Sequence, residues 1–124
     1  MTKHILIVDD EADIREILSE ILKRSGYLVT AVSSQAGALE ATRQERPDLI
    51  ISDLQLEDAD GLEMIARLKQ TLSNIPVILL TGVLFDPSAV NDVLLSKVSC
   101  YLEKTSSLAT ILQTVQRLAP LPGK

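Results

Sequence analysis

An α/β fold built on a parallel sheet is what this sequence predicts, and three observations predict it. Five short apolar runs of strand length recur along the 124 residues, at 5–8, 27–32, 49–51, 77–80 and 100–102. Each is followed by a stretch with helical spacing, so the order β-α repeats five times, the pattern of a layered sheet with right-handed crossovers. The runs are near-continuous Ile, Leu and Val rather than alternating, which fits a sheet covered by helices on both faces.

After the first run, Ile14, Ile17, Leu18, Ile21 and Leu22 form the apolar stripe of an amphipathic helix, and Ser25-Gly26 supplies its stop. Further helical segments are expected at 36–43, 62–72 and 88–95. The last run is followed by Leu108, Ile111, Leu112, Val115 and Leu118, which repeat the stripe. Pro47 and Pro76 sit just before the third and fourth runs, where a missing backbone donor costs little. The tail "APLPGK" carries two prolines and a glycine and reads as a frayed end or the start of a linker. This places a domain at 1–118 and the tail at 119–124.

The length suits one domain with a core of its own. With 46% hydrophobic and 23% charged residues but only 2% aromatics, the chain should be globular with an aliphatic core. The apolar runs are far too short to span a bilayer and "MTKHILIV" lacks a signal-peptide pattern, so no membrane contact and a soluble, cytoplasmic location are expected. A net charge of -5 argues against direct nucleic-acid binding, which needs a basic face. Cys100 is the single cysteine; it forms no internal disulfide and is expected to be a small core residue.

The strand ends carry the chemistry. The first run ends in Asp9-Asp10-Glu11, the third in Ser52-Asp53, the fourth in Thr81-Gly82 and the fifth in Glu103-Lys104. In a parallel sheet these termini share one edge, where open α/β folds bind ligands. Adjacent carboxylates repel unless a cation sits among them. Crowded aspartates make an oxygen cage for Mg2+, which takes one or two carboxylates and shares its remaining sites with water and phosphate. Lys104 is a point charge suited to a phosphate, Thr81 offers a hydroxyl donor, and Gly82 leaves room for close approach. One aspartate in such a cage can act as a nucleophile and form an acyl phosphate.

The stretches "ILIVDDE", "DLIISDLQLEDADGLEMI", "PVILLTG" and "CYLEKTSSL" together resemble the receiver domain of two-component response regulators, including the chemotaxis regulators, over about residues 4–118. The resemblance implies a flavodoxin-like five-stranded parallel sheet of order 2-1-3-4-5 with helices on both faces. It implies that Asp53 accepts a phosphoryl group from a histidine kinase or histidine phosphotransfer protein. Asp10 would bind Mg2+ directly, Asp9 mostly through water, and Asp53 and the backbone carbonyl of Gln55 would complete the protein ligands. Lys104 would bridge to the phosphoryl oxygens and Thr81 would donate to one of them. Thr81 and Tyr101 match the switch positions, and the output would be a downstream protein bound through the fourth helix, fifth strand and fifth helix. Gly61 matches the glycine closing the loop after the third strand. The protein would not be an enzyme beyond catalysing its own phosphorylation and dephosphorylation.

Three positions depart from the family pattern. Thr105 follows the lysine where proline in a cis peptide is usual, Glu57 replaces a common proline, and Lys97-Val98 replaces a Gly-Ala pair. Without proline a cis bond costs roughly 2.5 to 4 kcal/mol, so the Lys104–Thr105 peptide is expected to be trans. A metal-dependent aspartyl-phosphate phosphatase is an alternative, although it would ordinarily need an acid where Gln55 stands. A degenerate pseudo-receiver that serves only as an interaction module is another. His4 is not read as a phosphotransfer histidine, and Glu57, Asp58 and Asp60 read as a solvated acidic loop.

Overall fold

The computed structural model describes residues 3–82 and 98–122. The chain runs β1 (His4–Val8), α1 (Ala12–Arg24), β2 (Leu28–Val32), α2 (Gln35–Gln44), β3 (Leu49–Asp53), α3 (Gly61–Lys69), β4 (Val77–Thr81), β5 (Cys100–Glu103) and α4 (Leu108–Leu118). The helix α4 is the fifth of those expected from the sequence, because the segment at 88–95, like Lys97, lies outside the described residues. The five strands form one parallel sheet in the order β2-β1-β3-β4-β5, the arrangement that the resemblance implied.

Period-two alternation divides the core between the two faces. Leu6, Val8, Ile50, Val77 and Leu79 face one layer with Ala38 of α2 and Leu62, Met64, Ile65 and Leu68 of α3. Ile5, Ile7, Leu49, Ile51, Ile78 and Leu80 face the other, with Leu18 and Leu22 of α1 and Ile111 and Val115 of α4. Nearly all are aliphatic, and each large one fully buried contributes roughly 1.5 to 3 kcal/mol. The strand β2 forms one edge, so it is only partly covered and Leu28 is exposed.

Local signals set the element ends. Gly26 closes α1 with φ 103°, a left-handed conformation that glycine alone adopts cheaply. The side chains of Ser34, Asp60 and Ser107 cap α2, α3 and α4, each accepting at least one backbone N–H of the first turn. Tyr27 begins no strand: its N–H donates to Leu22 O, and its phenol donates to Ala119 O at 2.8 Å. That contact continues the packing past α4, where Ala119 is buried and Leu121 joins the second core cluster. Cys100 is half-buried on the outer strand β5 rather than in the core.

The acids of the loop after β3 are all exposed, as the sequence reading expected, but two of them also bind backbone. Asp60 caps α3, with Oδ1 accepting from Leu62 N at 2.8 Å. Asp58 reaches across to a different helix, its two oxygens accepting from Gln35 N at 2.8 Å and Ala36 N at 3.2 Å at the start of α2. The Gln35 N–H, reinforced by that of Ala36, holds the Asp58 carboxyl below the usual carboxylate range. Where the resemblance expects a stiffening proline, this chain ties the loop to α2 by a side chain.

Candidate functional site at the carboxyl edge of the sheet

Strand order reverses between β1 and β3, so a crevice opens where their carboxyl ends diverge. Val8 pairs with both Val32 and Ser52, which puts Asp9 and Asp53 on neighbouring strand ends. Thr81 ends β4 opposite Glu103, and the Lys104 N–H donates to Thr81 O at 2.7 Å, fixing the lysine beside β4. The lysine stem passes over Gly82, where a Cβ would stand 3.3 Å from Lys104 Cδ. Asp10, Glu11, Asp53, Gln55, Thr81 and Lys104 all line one cavity there. Asp9 lies buried beside them, 2% exposed.

Gly61 shapes the acceptor loop. Its N–H donates to Leu54 O at 2.7 Å, and a Cβ at this position would lie 2.0 Å from Asp53 O. The glycine is required for close approach of backbone to backbone. Gln55, two residues after Asp53, pairs with Asp60 across the same loop, held by Gly61 N–H to Leu54 O and Leu56 N–H to Ala59 O.

The cation among the acids is Lys104. Its Nζ lies 2.7 Å from Glu11 Oε1, 3.1 Å from Asp53 Oδ2, and 3.0 and 3.2 Å from the two oxygens of Asp9. It reaches them across a trans Lys104–Thr105 peptide, as expected, because no cis bond occurs among the described residues. Burial alone would lower the ammonium's pKa, but hydrogen bonds to Glu11, Asp9 and Asp53 outweigh it and hold the group above the usual lysine range. Asp9 moves the opposite way from most paired acids. Burial pushes its carboxyl up, more than the Glu11 N–H and Lys104 pull it down.

The donor set suits a hard cation. Asp9, Asp10, Glu11 and Asp53 each present a carboxylate oxygen, and these atoms lie within 4.8 Å of one another. Asp9 Oδ2 is buried and close to Lys104 but accepts no hydrogen bond. An all-oxygen group with a buried lone pair left over fits Mg2+.

Six of the seven residues singled out from the sequence, Asp9, Asp10, Asp53, Gln55, Thr81 and Lys104, thus meet at this edge. Tyr101 lies on β5, 47% exposed and apart from the cavity lining. Sequence reasoning missed Glu11 as a partner of Lys104. Its place in the acidic run was visible, but a contact between residues 93 apart was not.

Comparison with known proteins agrees with this geometry. The family model described as response regulator receiver domain matches residues 5–116. The chain is 38% identical over 82 residues to sporulation initiation phosphotransferase F of Bacillus subtilis, covering 66% of each protein. It is 42% identical over 82 residues to the alkaline phosphatase synthesis transcriptional regulatory protein PhoP of the same bacterium, covering 66% of this chain but 34% of that longer protein. Among solved structures, chemotaxis response regulator CheY4 of Vibrio cholerae superposes with a TM-score of 0.86 at 27% identity, over 95% of this chain and 99% of that one. Response regulator protein TrrA of Thermotoga maritima, solved in complex with Mg2+ and BeF, gives a TM-score of 0.82 at 28% identity, over 94% and 99% of the two chains.

Proposed function

Since the chain belongs to the response regulator receiver domain family, we propose that Asp53 takes a phosphoryl group from a phosphohistidine on a kinase or phosphotransfer protein and that the modified domain changes its protein binding. The observation that carries this reading is Lys104 Nζ held 3.1 Å from Asp53 Oδ2 at the floor of an acid-lined cavity. An Asp53 oxygen attacks phosphorus, the P–N bond to the donor imidazole breaks, and the leaving nitrogen takes a proton. Lys104 offsets the charge brought in on the phosphoryl oxygens, and Thr81 donates its hydroxyl to one of them. Asp10, Asp53 and the Gln55 carbonyl would hold Mg2+ directly, with Asp9 acting through water; the bound ion supplies charge neutralisation for the transfer.

The phosphoryl group adds close to two negative charges beside Asp53. Thr81 and Tyr101 then act as the switch, remodelling the surface of β5 and α4 together with the helical segment read at 88–95 for a downstream protein partner. Such a shift can be no larger than the phosphoryl group's differential interaction with the two arrangements. Arg117 is the only charged residue of α4, so that helix offers a weakly polar surface. The domain body would run past residue 118, since Ala119 is buried and Leu121 packs on the second core cluster, and it would act in the cytoplasm without direct nucleic-acid contact. Among the described residues no helix is long and apolar enough to cross a membrane.

Incubation of the chain with Mg2+ and a small acyl phosphate tests this reading. One phosphoryl group per chain, dependent on Mg2+, is expected. Multiple turnovers of added phosphate esters would favour the phosphatase alternative, and indifference to Mg2+ would favour the pseudo-receiver.

A further inference from the structure

We propose that the Glu11 carboxylate occupies a second donor of Lys104 that a phosphoryl group on Asp53 would take up, so that Glu11 acts as a built-in competitor displaced on phosphorylation. This inference rests on the receiver reading and adds a residue that the reading does not assign. An ammonium has three N–H donors. All three are engaged, by Asp9, Glu11 and Asp53, and the contact to Glu11 is the shortest at 2.7 Å. Phosphorylation of Asp53 releases only the donor held by its own Oδ2, so a second phosphoryl contact to Lys104 requires Asp9 or Glu11 to leave.

Burial and side-chain length decide which. Asp9 is 2% and Asp53 8% exposed, both on short side chains at strand ends. The Glu11 side chain is 58% exposed, on a longer stem at the mouth of the cavity, and can swing into water at little cost. Three carboxylates already contact a single ammonium, and an oxygen of Asp10 lies within 4.8 Å of theirs. An incoming phosphoryl dianion therefore repels Glu11 while competing for the same proton donor. Nor does Glu11 cap its helix. It stands at the N-cap position of α1, yet its side chain makes no capping hydrogen bond there. Replacing the carboxylate by the amide thus removes the negative charge that competes for Lys104 without removing a helix cap.

The test is a titration of beryllofluoride, a phosphoryl mimic, at saturating Mg2+ into the wild-type chain, Glu11→Gln and Glu57→Gln, with binding read by amide NMR. Glu57→Gln removes a negative charge from the exposed acceptor loop without touching Lys104, so it measures the general effect of charge. Glu11→Gln is expected to bind the mimic about three- to tenfold more tightly than wild type, the range for losing one competing charge-assisted contact. Glu57→Gln should change affinity by less than twofold, roughly the scale of screened surface charges. In the unliganded protein, the Lys104 side-chain NMR signal should also move on Glu11→Gln. Equal affinity of wild type and Glu11→Gln, weaker binding by Glu11→Gln, or an equal gain in Glu57→Gln would overturn the competition while leaving the receiver reading in place. Failure of wild type and variant alike to bind would instead overturn the receiver reading, and this inference with it.

Discussion

Alanine in place of Gly61 is expected to cost about 3 kcal/mol or more of folding stability and to cripple phosphoryl acceptance in whatever fraction remains folded. The added Cβ would sit 2.0 Å from Asp53 O, 2.8 Å from Leu54 O and 3.0 Å from Asp53 C. All three atoms are backbone at the end of a central strand, so no side-chain rotation can relieve the clash. Gly61 has an ordinary negative φ, so the penalty is one of space and not of backbone conformation. Urea denaturation should show the loss. Leu68→Ala, a cavity-forming change in α3 that costs roughly 2 to 5 kcal/mol, is the control, because Leu68 is buried about two helical turns beyond Gly61. Under conditions where both variants are folded, Leu68→Ala should keep normal labelling and Gly61→Ala should not. Unimpaired labelling of Gly61→Ala would show that the loop relaxes without moving Asp53.

Lys104→Met is the second large effect. It leaves Asp9 and Asp53, both nearly buried, without their cation, and removing one partner of a buried pair typically costs about 3 to 5 kcal/mol. The pH dependence follows from Asp9. Burial already holds its carboxyl above the unfolded value, and loss of the ammonium removes one of the contacts that pull it down. A native state that binds the proton more tightly than the unfolded chain loses stability as pH rises through that window. The cost of Lys104→Met, measured in metal-free buffer, should therefore be larger at neutral pH than near pH 5. A cost independent of pH would mean that Asp9 does not register the loss.

The sheet and its layers were legible because they depend on repeating local patterns. Ile5, Ile7, Leu6 and Val8 announce a strand buried on both faces, and Ile14 to Leu22 a striped helix, whatever lies elsewhere in the chain. The candidate site's edge was legible at one remove, since parallel strands put Asp9, Asp53, Thr81 and Lys104 at the same end. Contacts that depend on the fold were not. Asp58 looks like any loop acid until α2 is placed beside it, and Glu11 looks like a helix-start acid until Lys104 arrives from the far end of the chain. Ala119 and Leu121 sit in a Pro-Gly tail, and only the position of Tyr27 and Gly26 makes them part of the packing.

Locating the phosphoryl group tests the central claim most directly. Labelling by an acyl phosphate with Mg2+, followed by peptide mass spectrometry, is predicted to find the modification on Asp53 alone and to find none in Asp53→Asn. A label that persists undiminished in Asp53→Asn, or that maps to Asp9, Asp10 or Glu11 in the wild-type chain, would contradict the assignment of Asp53 as the acceptor.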